Sequence, residues 1–209
     1  MAEPKNSLKE MHPCATLSSL LASAAKGDAS SWRTLVQLYS RRVFALARSR
    51  CTSPELAEEI TQSVFVTVAT KLSQGEYTEE GKFEPWLFRV AMNRIRDEAR
   101  RKSRQATPTD SDVLGEMPSL ETLPSPGDQE HAFVELSALR RAMTELSDSD
   151  REIIELRHHG QMNFKAMSEL LNEPLGTLLA RHHRALRKLK ELVEQQLKPS
   201  QESSQGDPA

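Results

Sequence analysis

The sequence is poor in the residues that define several large protein classes. It has only 2 cysteines, 8 glycines and an aromatic content of 5% in 209 residues. Cys14 and Cys51 do not have the C-x-x-C spacing of a metal or redox site, and two cysteines do not build a disulfide framework. We therefore expect free thiols in a reducing cytosol.

Long apolar runs are also missing. No stretch approaches the roughly 20 apolar residues that a membrane-spanning helix needs, and the first 14 residues contain no apolar signal core. The sequence therefore predicts no membrane insertion and a cytoplasmic location. Because glycine is scarce and few stretches alternate between apolar and polar residues, the predicted fold class is all-α.

Motifs for catalysis and for cofactors are absent as well. The sequence has no glycine-rich phosphate loop, no H-E-x-x-H and no G-x-S-x-G. The pairs His158-His159 and His182-His183 are adjacent, and neighbours on a helix point about 100° apart, which does not suit chelation. We therefore predict that the protein is not an enzyme and has neither a metal site nor a cofactor.

One stretch, residues 83–104, combines an apolar face with concentrated positive charge. Residues 89–104 carry seven basic and two acidic side chains, a local net charge of +5 in a chain whose net charge is −2. Such a helix suits a polyanion, most often a phosphate backbone, although a solvated basic helix end gives the same pattern. Its apolar residues recur at helical spacing: Phe83, Leu87, Val90, Ala91 and Ile95.

Together with the residues before it, this stretch predicts a small helical domain over residues 17–104. A disordered segment, residues 1–16, precedes that domain. A short helix over 17–26 precedes an amphipathic helix that starts near Trp32. Ser53 and Pro54 then form a strong helix start, because serine caps a helix and proline fits its first position. Residues 73–82 form a polar loop that leads into the basic stretch.

The region after it predicts a linker and a second helical domain. Residues 105–128 hold four prolines without helical periodicity, which predicts an extended acidic linker. Residues 129–197 predict helices capped by Ser147 and Asn163 and a basic last helix after Pro174, the arrangement of a helix-turn-helix. We expect residues 198–209 to be disordered. The prediction is two small helical domains joined by this linker.

The chain resembles bacterial RNA polymerase sigma factors of the extracytoplasmic-function (ECF) subfamily. The likeness to the promoter −10 segment rests on Phe83, Trp86-Leu87, Val90-Ala91, Asn93, Asp97 and Arg100-Arg101. The rest of the first domain adds Asp28, Leu38-Tyr39, Arg42, Val43, Ala57-Glu58-Glu59, Gln62 and Phe65. The likeness to the −35 domain rests on Leu146, Arg151-Glu152, Leu156-Arg157, Gly176-Thr177, Arg181, Arg184-Ala185 and Leu189.

This resemblance implies a function. Such a factor binds core RNA polymerase, gives it promoter specificity and helps to open promoter DNA, and many are held by an anti-sigma factor. The implied partners are therefore core polymerase, promoter DNA and an anti-sigma factor. The alternatives are a free-standing helix-turn-helix regulator and a helical interaction adaptor without promoter activity.

The resemblance and the charge pattern together predict three groups of site residues. The predicted −10 contacts are Tyr77, Lys82, Phe83, Arg89, Asn93, Arg96, Arg100 and Arg101, with Tyr77 and Phe83 as stacking surfaces. The predicted −35 contacts are Thr177, Leu179, Ala180, Arg181, His183, Arg184, Arg187 and Lys188. The predicted polymerase contacts are Glu58, Glu59 and Gln62.

The residues at two positions of the last helix limit how it can recognise the bases of the −35 element. The chain has Leu179 and Ala180 where relatives often have lysine or arginine followed by serine, and apolar side chains can only pack on a thymine methyl group. We therefore predict that contacts to the DNA backbone mainly position the protein at the −35 element, with a weak preference for thymine and little for guanine. The acidic residues in 105–128 fit either a polyanion mimic near the polymerase active site or a plain solvated linker.

Overall fold

The computed structural model describes residues 13–51, 53–105 and 126–198. Over these residues the chain forms eight helices and no strand, which confirms the all-α prediction. In chain order the helices are α1 Pro13–Ala25, α2 Ala29–Arg48, α3 Pro54–Ser73, α4 Phe83–Gln105, α5 Pro126–Glu145, α6 Asp148–His158, α7 Phe164–Leu171 and α8 Leu175–Leu197.

Helices α1 to α4 form the N-terminal domain, and local capping fixes where two of them begin. The carboxylate of Asp28 accepts a hydrogen bond of 2.8 Å from the Ser31 amide at the start of α2. Ser53 caps α3 through the Leu56 amide, with Pro54 in the first position, as the sequence predicts. The buried faces of α2, α3 and α4 meet in one core that includes Val43, Val64, Leu87 and Ala91.

Helices α5 to α8 form the C-terminal domain. The predicted caps are present: Ser147 accepts from the Asp150 amide at 3.2 Å, and Asn163 accepts from the Ala166 amide at 2.8 Å. Asn172 adopts the left-handed conformation with φ 55°, which turns the chain from α7 into α8. The two helices and this turn make the helix-turn-helix.

Several boundaries differ from the sequence-based expectation. Helix α1 begins at Pro13 rather than near Leu17, and α5 begins at Pro126 rather than near Gln129. Between the domains, residues 106–125 of the predicted linker lie outside the described residues. Gly160 follows α6 as predicted, but the left-handed residue is Gln161, with φ 50°. Gly160 is needed for space, because a Cβ there would lie 3.2 Å from Phe88 and 2.7 Å from the Leu156 carbonyl oxygen.

The two domains pack against each other, which the sequence did not predict. Helix α4 contacts α7, and the buried residues of both domains belong to one continuous cluster. Phe88 of α4 is fully buried and its ring lies against Gly160. The basic helix of the first domain therefore lies beside the first helix of the helix-turn-helix.

Candidate nucleic-acid interface

The basic end of α4 lies on the surface of the N-terminal domain. The apolar side of the helix is buried, since Leu87, Ala91 and Ile95 are all less than 4% exposed. Arg100 and Arg101 are exposed beyond it and lie close to the acidic side chains one turn earlier, Asp97 and Glu98 respectively. Exposed ion pairs of this kind contribute little stability, so these guanidinium groups can exchange a carboxylate for a phosphate at low cost.

Two other predicted −10 residues, Arg89 and Arg96, contact the C-terminal domain while both remain exposed to solvent. Arg89 donates hydrogen bonds to the carbonyl oxygens of Glu169 (3.0 Å) and Leu170 (3.3 Å) at the end of α7. Arg96 pairs with the carboxylate of Glu152 in α6 at 2.5 Å. The structure therefore divides the exposed basic face into Arg89 and Arg96, which contact the C-terminal domain, and Arg100 and Arg101, whose acidic neighbours lie within α4.

An aromatic cluster lies where the loop after α3 meets α4. The ring of Tyr77 is 4.3 Å from that of Trp86 and 5.8 Å from that of Phe83, measured between centroids. Phe83 also contacts Tyr39 edge-on and is only 1% exposed, so it forms the floor of the cluster. The prediction that Phe83 is itself a stacking surface needs correction, because a buried ring has no free face for a base.

Acidic groups and a tight turn shape the loop beside this cluster. The Tyr77 hydroxyl donates a hydrogen bond of 2.6 Å to Glu79, whose other carboxylate oxygen accepts from the Gly81 amide. Burial and the Glu79 carboxylate raise the pKa of Tyr77, so its hydroxyl stays protonated. Gly81 has φ 76°, and the exposed Lys82 follows it directly before α4.

Helix α8 presents a second basic surface. Arg184, Arg187 and Lys188 are exposed and line a shallow cleft with Asp150 and Glu191. The helix starts after Pro174 without a side-chain cap, which leaves amide groups at its N-terminus for an anion. This arrangement suits a phosphate backbone crossing the start and the middle of α8.

Not every predicted −35 residue lies on that surface. Arg181 forms a two-pronged ion pair with Glu173, at 2.9 and 2.6 Å, so it fixes the turn before α8. Leu179 is 46% exposed, but it lies about 140° around the helix from Arg184. Ala180 lies one turn before Arg184 and shares its face, and Thr177, Ala180 and His183 are exposed.

The three predicted polymerase contacts on α3 are exposed but do not share one groove. Glu58 and Gln62 line an apolar groove of about 460 Å³ between α2 and α3, with Phe44 and Phe65 in its wall. Glu59 instead lines a polar groove toward α4, beside Arg94 and other charged groups. The exposed ridge of α3 separates the two grooves, and the assignment of Glu58, Glu59 and Gln62 to the polymerase contact stays a prediction.

Sequence reasoning missed several residues that organise the structure. Glu155 is 1% exposed and accepts hydrogen bonds from Arg50, which lies just after the end of α2, and from Arg151, the latter at 2.8 Å. The signal was available, because Glu155 interrupts the apolar run from Ile153 to Leu156. Val66 was also missed: it is 66% exposed on α3, one turn after Gln62.

The histidines come together across the C-terminal domain. His158 and His182 stack with ring centroids 5.6 Å apart, and burial and the neighbouring positive groups lower the pKa of His182. Among the residues that the structure describes, no group of three or more potential metal ligands converges. No helix of the described ranges is both long and apolar enough to cross a bilayer.

Comparison with known families assigns both domains. Residues 35–105 match Sigma-70 region 2, and residues 142–191 match Sigma-70 region 4. These two matches cover the domain with the basic α4 and the domain with the helix-turn-helix. The chain belongs to the ECF sigma factor family. It is a sigma factor that acts in promoter recognition and transcription initiation, which confirms the prediction from the sequence.

Individual relatives agree with this assignment. The sigma factor is 27% identical to the ECF RNA polymerase sigma factor SigW of Bacillus subtilis (strain 168), over 78% of this chain and 90% of SigW. It is 28% identical to SigM of the same organism, over 76% of this chain and 92% of SigM.

A solved structure has the same fold. The sigma factor RpoE of Bartonella quintana, solved in complex with the anti-sigma factor NepR, superposes with a TM-score of 0.61 at 19% identity. The match covers 79% of this chain and 98% of RpoE. The agreement extends across both helical domains.

Proposed function

We propose that this sigma factor acts through three surfaces: one for the −10 element, one for the −35 element and one for core RNA polymerase. The observation that supports this division is the presence of a cationic helix in each domain, α4 beside an aromatic cluster and α8 within a helix-turn-helix. Phosphate contacts position such a protein on DNA, and base contacts give it specificity. Two separated cationic helices suit two separated promoter elements.

The −10 surface combines the aromatic cluster with the end of α4. Opening a duplex requires that a base leave the stack, which costs a few kcal/mol and is offset when the base stacks on an aromatic ring. Tyr77 and Trp86 supply the partly exposed rings, and the buried Phe83 holds them in place. Phosphate contacts then come from Lys82, Asn93, Arg100 and Arg101, and from Arg89 and Arg96 once they leave the C-terminal domain.

The −35 surface is the exposed face of α8. Thr177 and the free amides after Pro174 meet a phosphate at the helix N-terminus, and Arg184, Arg187 and Lys188 follow the backbone. Ala180 lies within this face and comes nearest to base edges, whereas His183 lies at its edge, about 100° around the helix from Arg184. Leu179 lies off this face, so the expected preference for thymine rests on Ala180.

The polymerase surface is the groove between α2 and α3. Its wall is apolar and its rim carries Glu58 and Gln62, which fits the apolar side of a partner helix flanked by basic or polar residues. Val66 extends the same side of α3 by one turn. Glu59 lines the polar groove on the other side of α3 and contributes charge beyond the edge of the interface.

The remaining properties follow from this role. The protein performs no covalent chemistry, takes no cofactor and acts in the cytoplasm, where its polymerase and DNA are found. The fold neighbour RpoE is held by an anti-sigma factor, NepR, and we expect such a partner here. The acidic linker joins the two DNA-binding domains, with residues 106–125 outside the described part of the chain.

Transcription with purified core polymerase tests the proposal. Run-off products from a randomised promoter library should require both the factor and core polymerase. A variant with Arg100→Gln and Arg101→Gln should give at least tenfold less product, whereas Arg33→Gln, an exposed site on α2, should change it little. Tight, sequence-specific binding to duplex DNA without core polymerase would instead indicate a free-standing regulator.

A further inference from the structure

The aromatic cluster beside α4 joins three rings carried by helices to one ring carried by a loop. Tyr39 belongs to α2, Phe83 and Trp86 belong to α4, and Tyr77 lies in the loop between α3 and α4. The backbone under a helical side chain is fixed by the helix, whereas a ring on a loop is held no better than the loop itself. The position of Tyr77 therefore depends on contacts that the loop makes.

The start of this loop is tied to the end of α3. The Glu76 amide donates a hydrogen bond of 2.9 Å to the Lys71 carbonyl oxygen, and the Glu76 carboxylate pairs with the Lys71 ammonium at 2.6 Å. Gly75 turns the chain there with φ 71°, a conformation that favours glycine. These contacts end one residue before Tyr77, so they fix where the loop leaves α3 and not where its second half lies.

The half-buried Glu79 holds the second half of the loop through both oxygens of one carboxylate. One oxygen accepts a hydrogen bond of 2.6 Å from the Tyr77 hydroxyl, and the other accepts from the Gly81 amide. Gly81 lies two residues before α4, the helix that carries Trp86. A single side chain thus connects the ring on the loop to the backbone that enters the helix.

This connection determines how the Tyr77 ring lies against Trp86. The two ring centroids are 4.3 Å apart and their planes meet at 33°, so a base that stacks on either ring extends an existing stack. The hydroxyl is at the far end of the tyrosine ring, and holding it restricts both side-chain torsions. Burial, followed by the hydrogen bond to Glu79, raises the pKa of Tyr77, which keeps the hydroxyl proton available for this bond.

The charge of Glu79 does not favour DNA binding. A carboxylate repels phosphate groups, and the exposed Glu80 adds a second negative charge to the same loop. If Glu79 acted through its charge, its removal would strengthen the contact with DNA. If it acts through its two hydrogen bonds, its removal weakens base stacking. The two roles therefore predict effects of opposite sign.

We propose that Glu79 is a positioning residue for promoter opening, which holds the Tyr77 ring against Trp86 so that an unstacked base meets a preformed surface. This inference rests on the proposed function of the aromatic cluster within the −10 surface. A base that leaves the duplex then gains stacking without the entropic cost of ordering the loop.

Four variants of the full chain separate the hydrogen bonds from the charge. Glu79→Ala removes both bonds and the charge, and Glu80→Ala removes the same charge from the next residue as the matched control. Glu79→Gln removes the charge but keeps an oxygen that accepts from an amide and a nitrogen that donates to a hydroxyl. Tyr77→Phe removes one of the two bonds from the side of the other partner.

The fluorescence of Trp86 reports the position of the Tyr77 ring in the free factor. The chain has 2 tryptophans, and a Trp32→Phe background, in the core contact with Phe65, leaves Trp86 alone. Glu79→Ala should raise the acrylamide quenching constant of Trp86 by roughly twofold, because a loosened loop uncovers the indole. Glu80→Ala should leave the constant unchanged. Circular dichroism checks that each variant is folded.

Promoter opening is measured with holoenzyme assembled from core polymerase and each variant, on a promoter selected from the run-off library. Permanganate reactivity of unpaired thymines should fall at least roughly fivefold in Glu79→Ala, because two hydrogen bonds are lost. Glu79→Gln and Glu80→Ala should stay within about twofold of wild type, and Tyr77→Phe should lie between them and Glu79→Ala. A loss in Glu79→Ala together with the rescue in Glu79→Gln assigns the effect to the hydrogen bonds.

Three results would overturn the proposal: Glu79→Ala opening the promoter as well as Glu80→Ala, Glu79→Gln losing as much as Glu79→Ala, or Trp86 quenching unchanged in Glu79→Ala. Failure of the proposed function gives a different result. If the wild-type holoenzyme opens no promoter, the proposed function fails and this inference fails with it. If the wild type opens the promoter and Glu79→Ala matches it, only the positioning role of Glu79 fails.

Discussion

The guanidinium of Arg42 in α2 donates a hydrogen bond of 2.8 Å to the carbonyl oxygen of Gly160, 118 residues further along the chain. The same guanidinium pairs with Glu84 of α4 and lies 5.0 Å from the centre of the Phe88 ring. One side chain therefore connects two helices of the N-terminal domain to the turn that follows α6. A glycine at that turn allows the approach, because any Cβ would press against Phe88 and the Leu156 carbonyl.

Replacing Arg42 should destabilise the whole chain. Arg42→Met keeps part of the apolar stem but leaves Glu84 and the Gly160 carbonyl without their donor, which we expect to cost about 1–3 kcal/mol of unfolding free energy. Urea denaturation followed by circular dichroism measures the loss. Arg33→Met, exposed on the same helix, should stay within about 0.5 kcal/mol of wild type. Equal midpoints for the two variants would show that Arg42 has no such connecting role.

Substitutions on the two sides of the α3 ridge should differ in their effect on polymerase binding. The variant with Glu58→Ala and Gln62→Ala alters the rim of the apolar groove and should weaken competition for core polymerase by about tenfold. Glu59→Ala faces the polar groove and should have a smaller effect, below about threefold. Competition against a labelled sigma factor measures both. A larger loss for Glu59→Ala would place the docking surface on the α4 side of the ridge.

Promoter opening should depend on the exposed rings rather than on the buried one. Base stacking on an aromatic side chain is worth about 1–3 kcal/mol, so Trp86→Ala or Tyr77→Ala should reduce opening by roughly tenfold or more. The permanganate reactivity of unpaired thymines measures promoter opening. Tyr77→Phe keeps the ring and loses only the hydroxyl bond to Glu79, so it is the matched control. Full promoter opening in both alanine variants would show that the aromatic cluster is not part of the −10 surface.

The contacts of α8 to the −35 element should position the sigma factor on DNA more than they select a base sequence. Arg184→Gln removes a backbone contact and should weaken all promoter variants alike. Leu179→Ala should have little effect on base preference, since Leu179 lies off the cationic face, whereas Ala180→Ser should change it. Selection from a library randomised separately at each element measures the preferences. Strong guanine dependence at −35, or a base preference that changes with Leu179→Ala, would contradict this assignment of the helix faces.

Local features of the fold were predictable because short-range interactions determine them. Ser53, Ser147 and Asn163 each cap a helix whose start they predict, since a cap needs only the amides of the next turn. The contacts between the domains were not predictable in this way. Arg50 and Glu155 meet across 105 residues, and no periodic pattern relates two single residues at that distance.

The candidate site shows the same division. Helical periodicity predicted that Phe83 lies on the buried, apolar face of α4, whereas a stacking role required it to be exposed. In the structure Phe83 is buried, as the periodicity predicted. Glu59 and Gln62 are three residues apart and share a side of α3, but the grooves on either side of the ridge depend on α2 and α4. Sequence spacing defines one helix face, while packing against other helices decides which groove each residue lines.

The ion pair between Arg96 and Glu152 has a consequence for how ionic strength acts on the free sigma factor. Added salt weakens DNA contacts because the counterions released on binding gain less entropy when the bulk salt concentration is higher. It also screens the partly exposed ion pair in which Glu152 competes with a phosphate for Arg96. The two effects oppose each other. The free factor should therefore lose affinity with salt less steeply than its number of phosphate contacts requires, and the variant Glu152→Lys should recover the steeper slope.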